Sequence, residues 1–461
     1  MRQRVCPCFF ACAVMAVIGL VPVLAGDELV KVGEFEQAIV ETPHPYPAGV
    51  GTGAWETVIH YPGATYIRVH FSNFSLAPGD WLEISSPGGE SHVYTGMGPH
   101  GTGEFWAFSV PGDMASLRLN AEIGGDYGVL SDGYGRGTSP LPPQPAQTES
   151  VCGTQDWRDV ECYNPSTEYD RSGGAVLLLI GAGTMCTGWK TSDTGQFMTN
   201  NHCVSTQSGV QATEVRFNYK LSGCATGTSG ITGSVMGSQM QKTDTTLDYT
   251  LFRTSGDSSS IPCLEIDNRL PDAGERIYIA GHPSGGVKKL SIDSDRNTGG
   301  QCAVDVSPCA GNDATSDICY YCDTTNGSSG SPVLSGVSNK VVAIHHFGGC
   351  TNSGARMDRI YAQISGLLDG CAGGGPTPVC GNGVKESGEP CDGSDLGGAT
   401  CQSLGWDGGT LACTAGCAYD TSACWNSTCV PVSGGRCNCD GACSKKESSY
   451  VKRGGVCADC P

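Results

Sequence analysis

Short runs in which apolar and polar residues alternate fill the chain from about Leu29 to Gly137, a stretch without cysteine. The clearest runs cover residues 65–71, 80–85 and 104–110, and Pro-Gly and Gly-Asp pairs lie between them. Apolar residues at every second position line one face of a strand, and turn residues between such runs join antiparallel neighbours. The pattern predicts an antiparallel β-sandwich over residues 26–135, which we interpret as a pro-domain or an accessory domain.

A second β-rich region covers residues 150–371. Its apolar runs predict strands, and only one stretch, residues 360–368, has apolar residues at helical spacing before a glycine. The predicted strands are residues 175–180, 196–199, 249–253, 277–280 and 340–347. Many short strands, glycine turns and one terminal helix suit an all-β domain built as a double β-barrel.

The ends of the chain and two linkers complete the expected organisation. Residues 1–25 carry two arginines, a short apolar run and a small-residue end, which predicts a signal peptide; a membrane anchor is the alternative. Residues 136–149 are proline-rich and predict an exposed linker, with processing expected after Arg136 or near Glu149. Residues 372–379 predict a second linker, and residues 380–461 a small disulfide-rich domain.

Cysteine content and charge narrow the possible functions. Of 27 cysteines three lie in the leader, and the other 24 are an even number that suggests full pairing in an extracellular protein. No two Cys-x2-Cys units are spaced as a zinc site, so neither a metal nor a cofactor is predicted. The formal charge of -19 argues against nucleic acid or an anionic membrane as a partner. We expect protein or peptide substrates, and a cysteine-rich end that binds a cell surface or another extracellular protein.

Three short motifs in the second region carry candidate chemistry. A glycine-punctuated turn holds Ser329, and His202 and Asp248 lie upstream in Thr-Asn-Asn-His-Cys and Leu-Asp-Tyr-Thr-Leu. A serine hydroxyl needs a base to take its proton and a carboxylate to orient that base, and these three residues fit the roles. His345 and His346 are rival bases, and Asp244 is a rival to Asp248.

The turn around Ser329 also supplies candidate donors for a developing oxyanion. The backbone N–H groups of Gly327 and Ser329 would form the hole, in which losing one donor costs about 3 kcal/mol of transition-state stabilisation. The order His, Asp, Ser along the chain is that of the chymotrypsin-type arrangement. The sequence therefore predicts a serine endopeptidase that acts through an acyl-enzyme.

Residues 151–370 resemble the bacterial lysyl endopeptidases, secreted members of the chymotrypsin-like and trypsin-like class. The resemblance rests on the Gly-Ser-Ser-Gly-Ser-Pro turn, the stretch from Ile277 to Lys289 and the first cysteines of the region. It implies a trypsin-like serine protease domain over 150–371, made as a zymogen, with three disulfides. These are Cys152–Cys350, Cys162–Cys224 and Cys186–Cys203.

Two further resemblances concern the flanking regions. The Gly-Asp-Trp and Phe-Trp-x-Phe stretches are similar to β-sandwich modules that precede the catalytic domain in some secreted bacterial proteases. The stretch from Cys380 to Gly393 resembles a repeat common at the ends of secreted proteins of myxobacteria and their relatives. Asp392 and Asp395 within it are either calcium ligands or exposed turn carboxylates.

Two candidate pockets predict different residues immediately before the scissile bond, and the sequence does not decide between them. Lysyl endopeptidases select through an aspartate, but the best-matching position here holds Ala355. Asp323, six residues before Ser329, has the spacing of the carboxylate in trypsin-like pockets, and Gly348 and Gly354 would leave room for Arg or Lys. Alternatively His345 lines the pocket, as a histidine does in glutamyl endopeptidases, and Glu is selected. We favour a basic residue.

Two other functions compete with proteolysis: an inactive protease homologue that acts as a surface-binding protein, and a structural protein of the cell surface. The presence of His202, Asp248 and Ser329 together argues against both.

Overall fold

A computed structural model describes residues 29–49, 55–138, 150–371, 385, 390–406, 408–414 and 416–425. The predicted signal peptide, most of both predicted linkers and the last part of the cysteine-rich region lie outside these residues.

The amino-terminal region is a β-sandwich of two antiparallel sheets. Its strands, after a short β1 (Val30–Lys31), are β2 (Gly33–Glu41), β3 (Trp55–His60), β4 (Tyr66–Ser75), β5 (Trp81–Ser85), β6 (Ser91–Thr95), β7 (Phe105–Trp106), β8 (Val110–Pro111), β9 (Met114–Asn120) and β10 (Gly128–Gly137). One sheet has the order β2-β10-β4-β7 with β8 also on β4, and the other has the order β3-β9-β5-β6. Their inward faces share a core that includes Phe71, Phe74 and Leu117.

The second region contains two packed sheets. Its strands are β11 (Arg158–Asp159), β12 (Ala175–Ile180), β13 (Thr184–Ser192), β14 (Gln196–Thr199), β15 (Thr213–Phe217), β16 (Lys220–Gly223), β17 (Thr226–Gly230), β18 (Gly233–Asp244), β19 (Tyr249–Ser255), β20 (Ile277–Gly281), β21 (Lys289–Ser291), β22 (Val304–Cys309), β23 (Asp317–Tyr320), β24 (Pro332–Ser335), β25 (Val341–Phe347) and β26 (Asn352–Arg356). The helices are α1 (Thr167–Ser172), α2 (Gln207–Gln211) and α3 (Met357–Ile364), with 3-10 turns at Val160–Tyr163 and Pro283–Gly285.

Six of these strands close into a barrel. Their order is β13-β12-β15-β18-β19-β14, and β14 pairs back onto β13. A second sheet, with the order β11-β21-β20-β24-β25-β26-β23-β22, forms a partly open barrel beside it. The run Ala-Val-Leu-Leu-Leu-Ile of β12 is apolar at consecutive positions because almost all of it is buried. The predicted all-β double barrel, preceded by a sandwich, is confirmed.

Three element predictions need correction. The helix spans Met357–Ile364 instead of 360–368, because Met357, Ile360 and Ile364 form its buried face and Gly366 disfavours continuation. Two further short helices, α1 and α2, were not predicted. The run 104–110 is divided between β7 and β8, which both pair with β4.

The start of the first linker is also corrected. Arg136 and Gly137 belong to β10, so the sandwich extends beyond residue 135. The Arg136 guanidinium binds Glu34 and Glu36 of β2 and lies 4.1 Å over the Tyr61 ring. A peptide bond held in this way inside a sheet is a poor processing site, and the other expected position, near Glu149, lies outside the described residues.

Disulfides join distant parts of the second region. The structure contains the three pairs implied by the resemblance, Cys152–Cys350, Cys162–Cys224 and Cys186–Cys203, and also Cys263–Cys371 and Cys309–Cys319. The expected full pairing is not found, because Cys302 and Cys322 are buried free thiols that contact each other.

The described part of the cysteine-rich region holds four two-residue strands and a 3-10 turn at Gln402–Leu404. The strands are β27 (Gly408–Gly409), β28 (Ala412–Cys413), β29 (Tyr419–Asp420) and β30 (Cys424–Trp425). Cys391–Cys413 and Cys401–Cys424 are its described disulfides. Its small cluster around Leu411 includes both halves of the Cys401–Cys424 disulfide, as expected of a region with little apolar surface.

Among the residues that the structure describes, no helix is long and apolar enough to span a membrane.

Candidate active site

The turn that carries Ser329 lies between β23 and β24, where both barrels meet. Its backbone is fixed from each side: Thr187 N–H of β13 donates to Ser329 O at 2.9 Å, and Gly330 N–H donates to His345 O of β25 at 2.9 Å. Gly330 has φ +88°, and a Cβ there would lie 2.1 Å from Thr187 O. Only glycine fits this position, so the Gly after the serine is a geometric requirement.

Two N–H groups of this turn remain open. In the described chain neither Gly327 N nor Ser329 N donates to any acceptor. Asn326 O accepts from Ser284 N at 2.7 Å, and because a trans peptide directs its N–H away from its carbonyl, Gly327 N–H points to the opposite side. Gly327 has φ +90°, and a Cβ would come within 2.8 Å of Gly285 N. This arrangement leaves two backbone donors for a negatively charged oxygen.

His202 and Asp248 form a tight pair at the first barrel. His202 Nδ1 lies 2.6 Å from Asp248 Oδ2, and His202 N–H donates to Asp248 Oδ1 at 2.9 Å. The Cys186–Cys203 disulfide holds the loop of His202 against β13, and Asn200 Nδ2 donates to Asp248 O at 2.8 Å. The carboxylate therefore fixes both the position and the orientation of the imidazole.

The far nitrogen of His202 is the one available for proton transfer. His202 Nε2 is buried and has no hydrogen-bond partner among the described residues. No hydrogen bond joins it to Ser329 Oγ in the described chain; such bonds often tighten only when substrate is bound. Neither His202 Nε2 nor Ser329 Oγ is therefore engaged in a hydrogen bond with another group of the described chain.

Asp248 has a second imidazole partner. His346 is fully buried, with Nδ1 3.2 Å from Asp248 Oδ2 and Nε2 2.6 Å from Asp317 Oδ2. Asp317 also accepts hydrogen bonds from Ser353 Oγ and Ser316 Oγ. The side chains of His202, Asp248, His346 and Asp317 thus form a row in which imidazoles and carboxylates alternate.

The charges in this row are set by burial and hydrogen bonding. Burial alone would raise the pKa of Asp248, but the bonds with His202 and His346 hold that pKa well below its usual range. Burial would lower the pKa of His346, but the bonds with Asp248 and Asp317 raise it to about 9. His346 is consequently an imidazolium at neutral pH, a partner of Asp248 and not a rival base.

Asp317 was not among the site residues predicted from the sequence. Its one signal was the doublet His345-His346, because the two side chains must point to opposite faces of β25 and cannot share one set of partners. Asp244, the rival carboxylate, caps a turn by accepting from Thr246 N and Leu247 N.

The structure does not bring Asp323 to the base of a substrate pocket. Its carboxylate is 1% exposed and accepts the N–H groups of Cys152 at 2.7 Å and Asp156 at 2.8 Å. Both oxygens are used to hold the start of the second region. The spacing between Asp323 and Ser329 could not reveal this, because the N–H groups that donate to the carboxylate belong to residues about 170 positions earlier in the chain.

The remaining predicted pocket residues lie on β25, β26 and the loop between them. His345 is buried, and its Nδ1 is 2.8 Å from Tyr320 Oη. Gly354 pairs with His345, and a Cβ on it would lie 3.1 Å from Tyr320 Oη, so this glycine makes room for the tyrosine and not for a long substrate side chain. Gly348 is half-buried in the loop that follows β25.

Comparison with known proteins identifies the class. Residues 186–344 match the family model of the trypsin-like peptidase domain, and the matched segment contains His202, Asp248 and Ser329. Together with the two barrels, this match defines a protein with a trypsin-like peptidase domain.

One relative is similar to this chain over most of its own length. The chain is 34% identical over 315 residues to Secreted RxLR effector protein 73 of Plasmopara viticola, which is 63% of this chain and 76% of that protein. The chain belongs to the same protein family as this relative.

Two solved structures are also similar to this chain. A Glu endopeptidase in complex with MPD is 18% identical with a TM-score of 0.36, and the alignment covers 47% of this chain and 97% of that one. A serine endoprotease from Yersinia pestis is 13% identical with a TM-score of 0.32, covering 44% of this chain and 66% of that one.

Proposed function

We propose that this chain is a secreted serine endopeptidase in which Ser329 is the nucleophile, His202 the general base and acid, and Asp248 the residue that orients His202. The observation that carries the proposal is the His202–Asp248 pair, which leaves His202 Nε2 without a hydrogen-bond partner in the described chain. The N–H groups of Gly327 and Ser329, which donate to no acceptor there, support it.

The proposed reaction follows from the atoms that are free. Ser329 Oγ attacks the carbonyl carbon of the substrate while its proton passes to His202 Nε2. The carbonyl oxygen becomes an oxyanion that accepts from Gly327 N–H and Ser329 N–H. His202 then returns the proton to the departing amine, and the acyl-enzyme forms. Water, deprotonated by the same nitrogen, attacks the ester and releases the acid and the serine.

The site of action is proposed to be extracellular. The disulfides of the second region, the leader-like first 25 residues and a relative named as a secreted effector support this location. We further propose that the sandwich is an accessory or pro-domain, joined to the protease through the 139–149 segment.

Asp323 is no longer the proposed determinant of selectivity for a basic residue, because its carboxylate accepts hydrogen bonds from the backbone N–H groups of Cys152 and Asp156. The residue before the cut is therefore to be found with matched peptides that differ only in Arg, Lys or Glu at that position.

Substitution of the nucleophile tests the proposal. In the full chain, made with its leader in an oxidising secretory host, Ser329→Ala is expected to lower kcat for peptide hydrolysis at least about a thousandfold while the fold persists, because it removes one oxygen and little packing. Ser365→Ala, at an exposed serine after α3, serves as the matched control and should retain parental activity. Activity of Ser329→Ala within tenfold of the parent would contradict the assignment, and an inactive parent would favour a binding homologue.

A further inference from the structure

One strand of the amino-terminal region leaves the sandwich and pairs with the protease barrel. Val30 and Lys31 of β1 run antiparallel to Met185 and Thr184 of β13, and Val32 N–H donates to Gly183 O at 2.7 Å. The barrel closes without β1, which lies outside the ring of six strands. This strand is therefore an addition to an edge that the barrel would otherwise present to solvent.

The occupied edge lies on the leaving-group side of the cleft. Cys186, next to the paired residues, is bonded to Cys203, the neighbour of His202, and Thr187 holds Ser329 O. In the proposed reaction the departing amine takes its proton from His202, so this half of the substrate must lie on the histidine side. The acyl half lies toward β25, which accepts from Gly330 through His345 O.

The residue that precedes β1 reaches the proposed base and its orienting carboxylate. Leu29 lines a cavity of about 320 Å³ together with His202, Asp248 and Phe347. An extended chain that enters beside His202 and continues along β13 has the course of a bound peptide, and residues 29–32 follow that course.

The side chains of β1 show what this edge accepts. Val30 and Val32 are 3% and 4% exposed and share a cluster with Met185 and Leu179, whereas Lys31 between them is exposed. Gly285 forms the opposite wall, where a Cβ would lie 3.2 Å from Val32 Cγ1 and 3.4 Å from Val30 Cγ1. The site therefore takes an extended strand with branched apolar side chains at alternate positions.

We propose that β1 is an intramolecular competitor of peptide substrates, because it occupies the Gly183–Met185 edge of β13 along which the leaving-group half of a substrate would pair. The alternate valines of β1 indicate that branched apolar residues at alternate positions compete best for this edge. The proposal rests on the proposed peptidase function and deepens it. Substrates that extend past the cut must displace β1, whereas a substrate with a small leaving group does not reach the edge.

Two variants of the full chain weaken β1 in different ways. Val30→Asp with Val32→Asp places charge in the apolar cluster, and Val32→Pro removes the N–H that Gly183 O accepts. Val58→Asp, at a valine of β3 that is 47% exposed, is the matched control. Rates are expressed per serine labelled by a fluorophosphonate, so that unfolded material does not count.

The parent and each variant are tested on two substrates that share one acyl half. This acyl half is the one that the parent cleaves best. One ends in p-nitroanilide, and the other continues for four residues with valine at alternate positions. We expect kcat/KM for the extended peptide to rise at least tenfold in both β1 variants, with p-nitroanilide hydrolysis changed less than twofold. Rates for the extended peptide that are unchanged, lower, or altered in parallel with the p-nitroanilide would overturn the proposal. A parent that neither takes the label nor cleaves either substrate would instead refute the proposed function.

Discussion

At the scale of single residues, the least expected feature is the buried imidazole of His346 between two carboxylates. With Asp248 on one side and Asp317 on the other, its positive charge is balanced inside the protein. A buried ion pair is costly to break, because removing one partner leaves a charge without compensation. His346 therefore helps to hold the Asp248 oxygen that also contacts His202 Nδ1.

This arrangement predicts a pH-dependent stability. The pKa of His346 is about 9 in the folded protein, against 6.5 for an ordinary histidine, so the folded state binds the proton more tightly. The resulting stabilisation is fully present below pH 6.5 and is lost as pH rises through 9, a change of roughly 3 kcal/mol in the free energy of unfolding. His346→Gln should thus cost most at pH 6 and least at pH 9.5.

Urea unfolding in a Ser329→Ala background, which prevents self-digestion, measures this difference at both pH values. His60→Gln, at a half-exposed histidine of β3, is the control for the loss of an imidazole at the surface. A cost of His346→Gln that stays the same at pH 6 and pH 9.5 would show that the imidazolium is not a stabilising charge.

Local motifs predicted the candidate catalytic residues better than distance along the chain predicted the pocket residue. Ser329 and His202 could be proposed from local motifs because each sits in a turn whose glycines or cysteine carry the signal, and Asp248 because it directly precedes an apolar strand. Asp323 was chosen by its distance along the chain from Ser329, yet its partners are the N–H groups of Cys152 and Asp156. Nothing local in the sequence indicates that contact.

At the scale of elements, continuous apolar runs were the reliable guide. The predicted strand 175–180 has the bounds of β12, since residues buried on both sides leave an unbroken apolar pattern. The predicted strand 196–199 has the bounds of β14, in which Phe197 and Met198 lie between two buried polar residues. The two-residue strand β1 has no such pattern. Its pairing depends on Met185, more than 150 residues away, and on the cluster into which Val30 and Val32 fit.

The contacts between β4 and the barrel also could not be predicted from the sequence. Arg68 is fully buried, and its Nη1 donates to Leu179 O, Gly181 O and Ala212 O of the protease region. Glu214 of β15, 1% exposed, lies 3.8 Å from Arg68 Nε and accepts from Ser109 N at 3.0 Å. An arginine in a strand whose neighbours are apolar indicates a buried partner, but the sequence does not say which.

At the scale of the whole molecule, these contacts join the sandwich to the protease independently of the linker. We predict that a specific protease site inserted between residues 139 and 149 can be cut without separating the two parts. Because the charges are buried, salt should screen them little, and the nicked protein should elute as one species in 1 M NaCl.

Gel filtration before and after cutting checks this expectation. Arg68→Met leaves Glu214 with less compensation and should promote separation, whereas Arg118→Met, at an exposed arginine of β9, should not. Separation of the parental halves at low salt would mean that the linker alone holds them together.

The proposed catalytic site depends on an activated serine at position 329. Reaction of the full secreted chain with a fluorophosphonate, followed by mass spectrometry of the digested protein, tests this most directly, because an unactivated hydroxyl does not react. We predict one adduct per chain, on Ser329, that is lost in Ser329→Ala and in His202→Ala. Absence of an adduct from the folded parent, or an adduct on another serine, would contradict the proposed catalytic site.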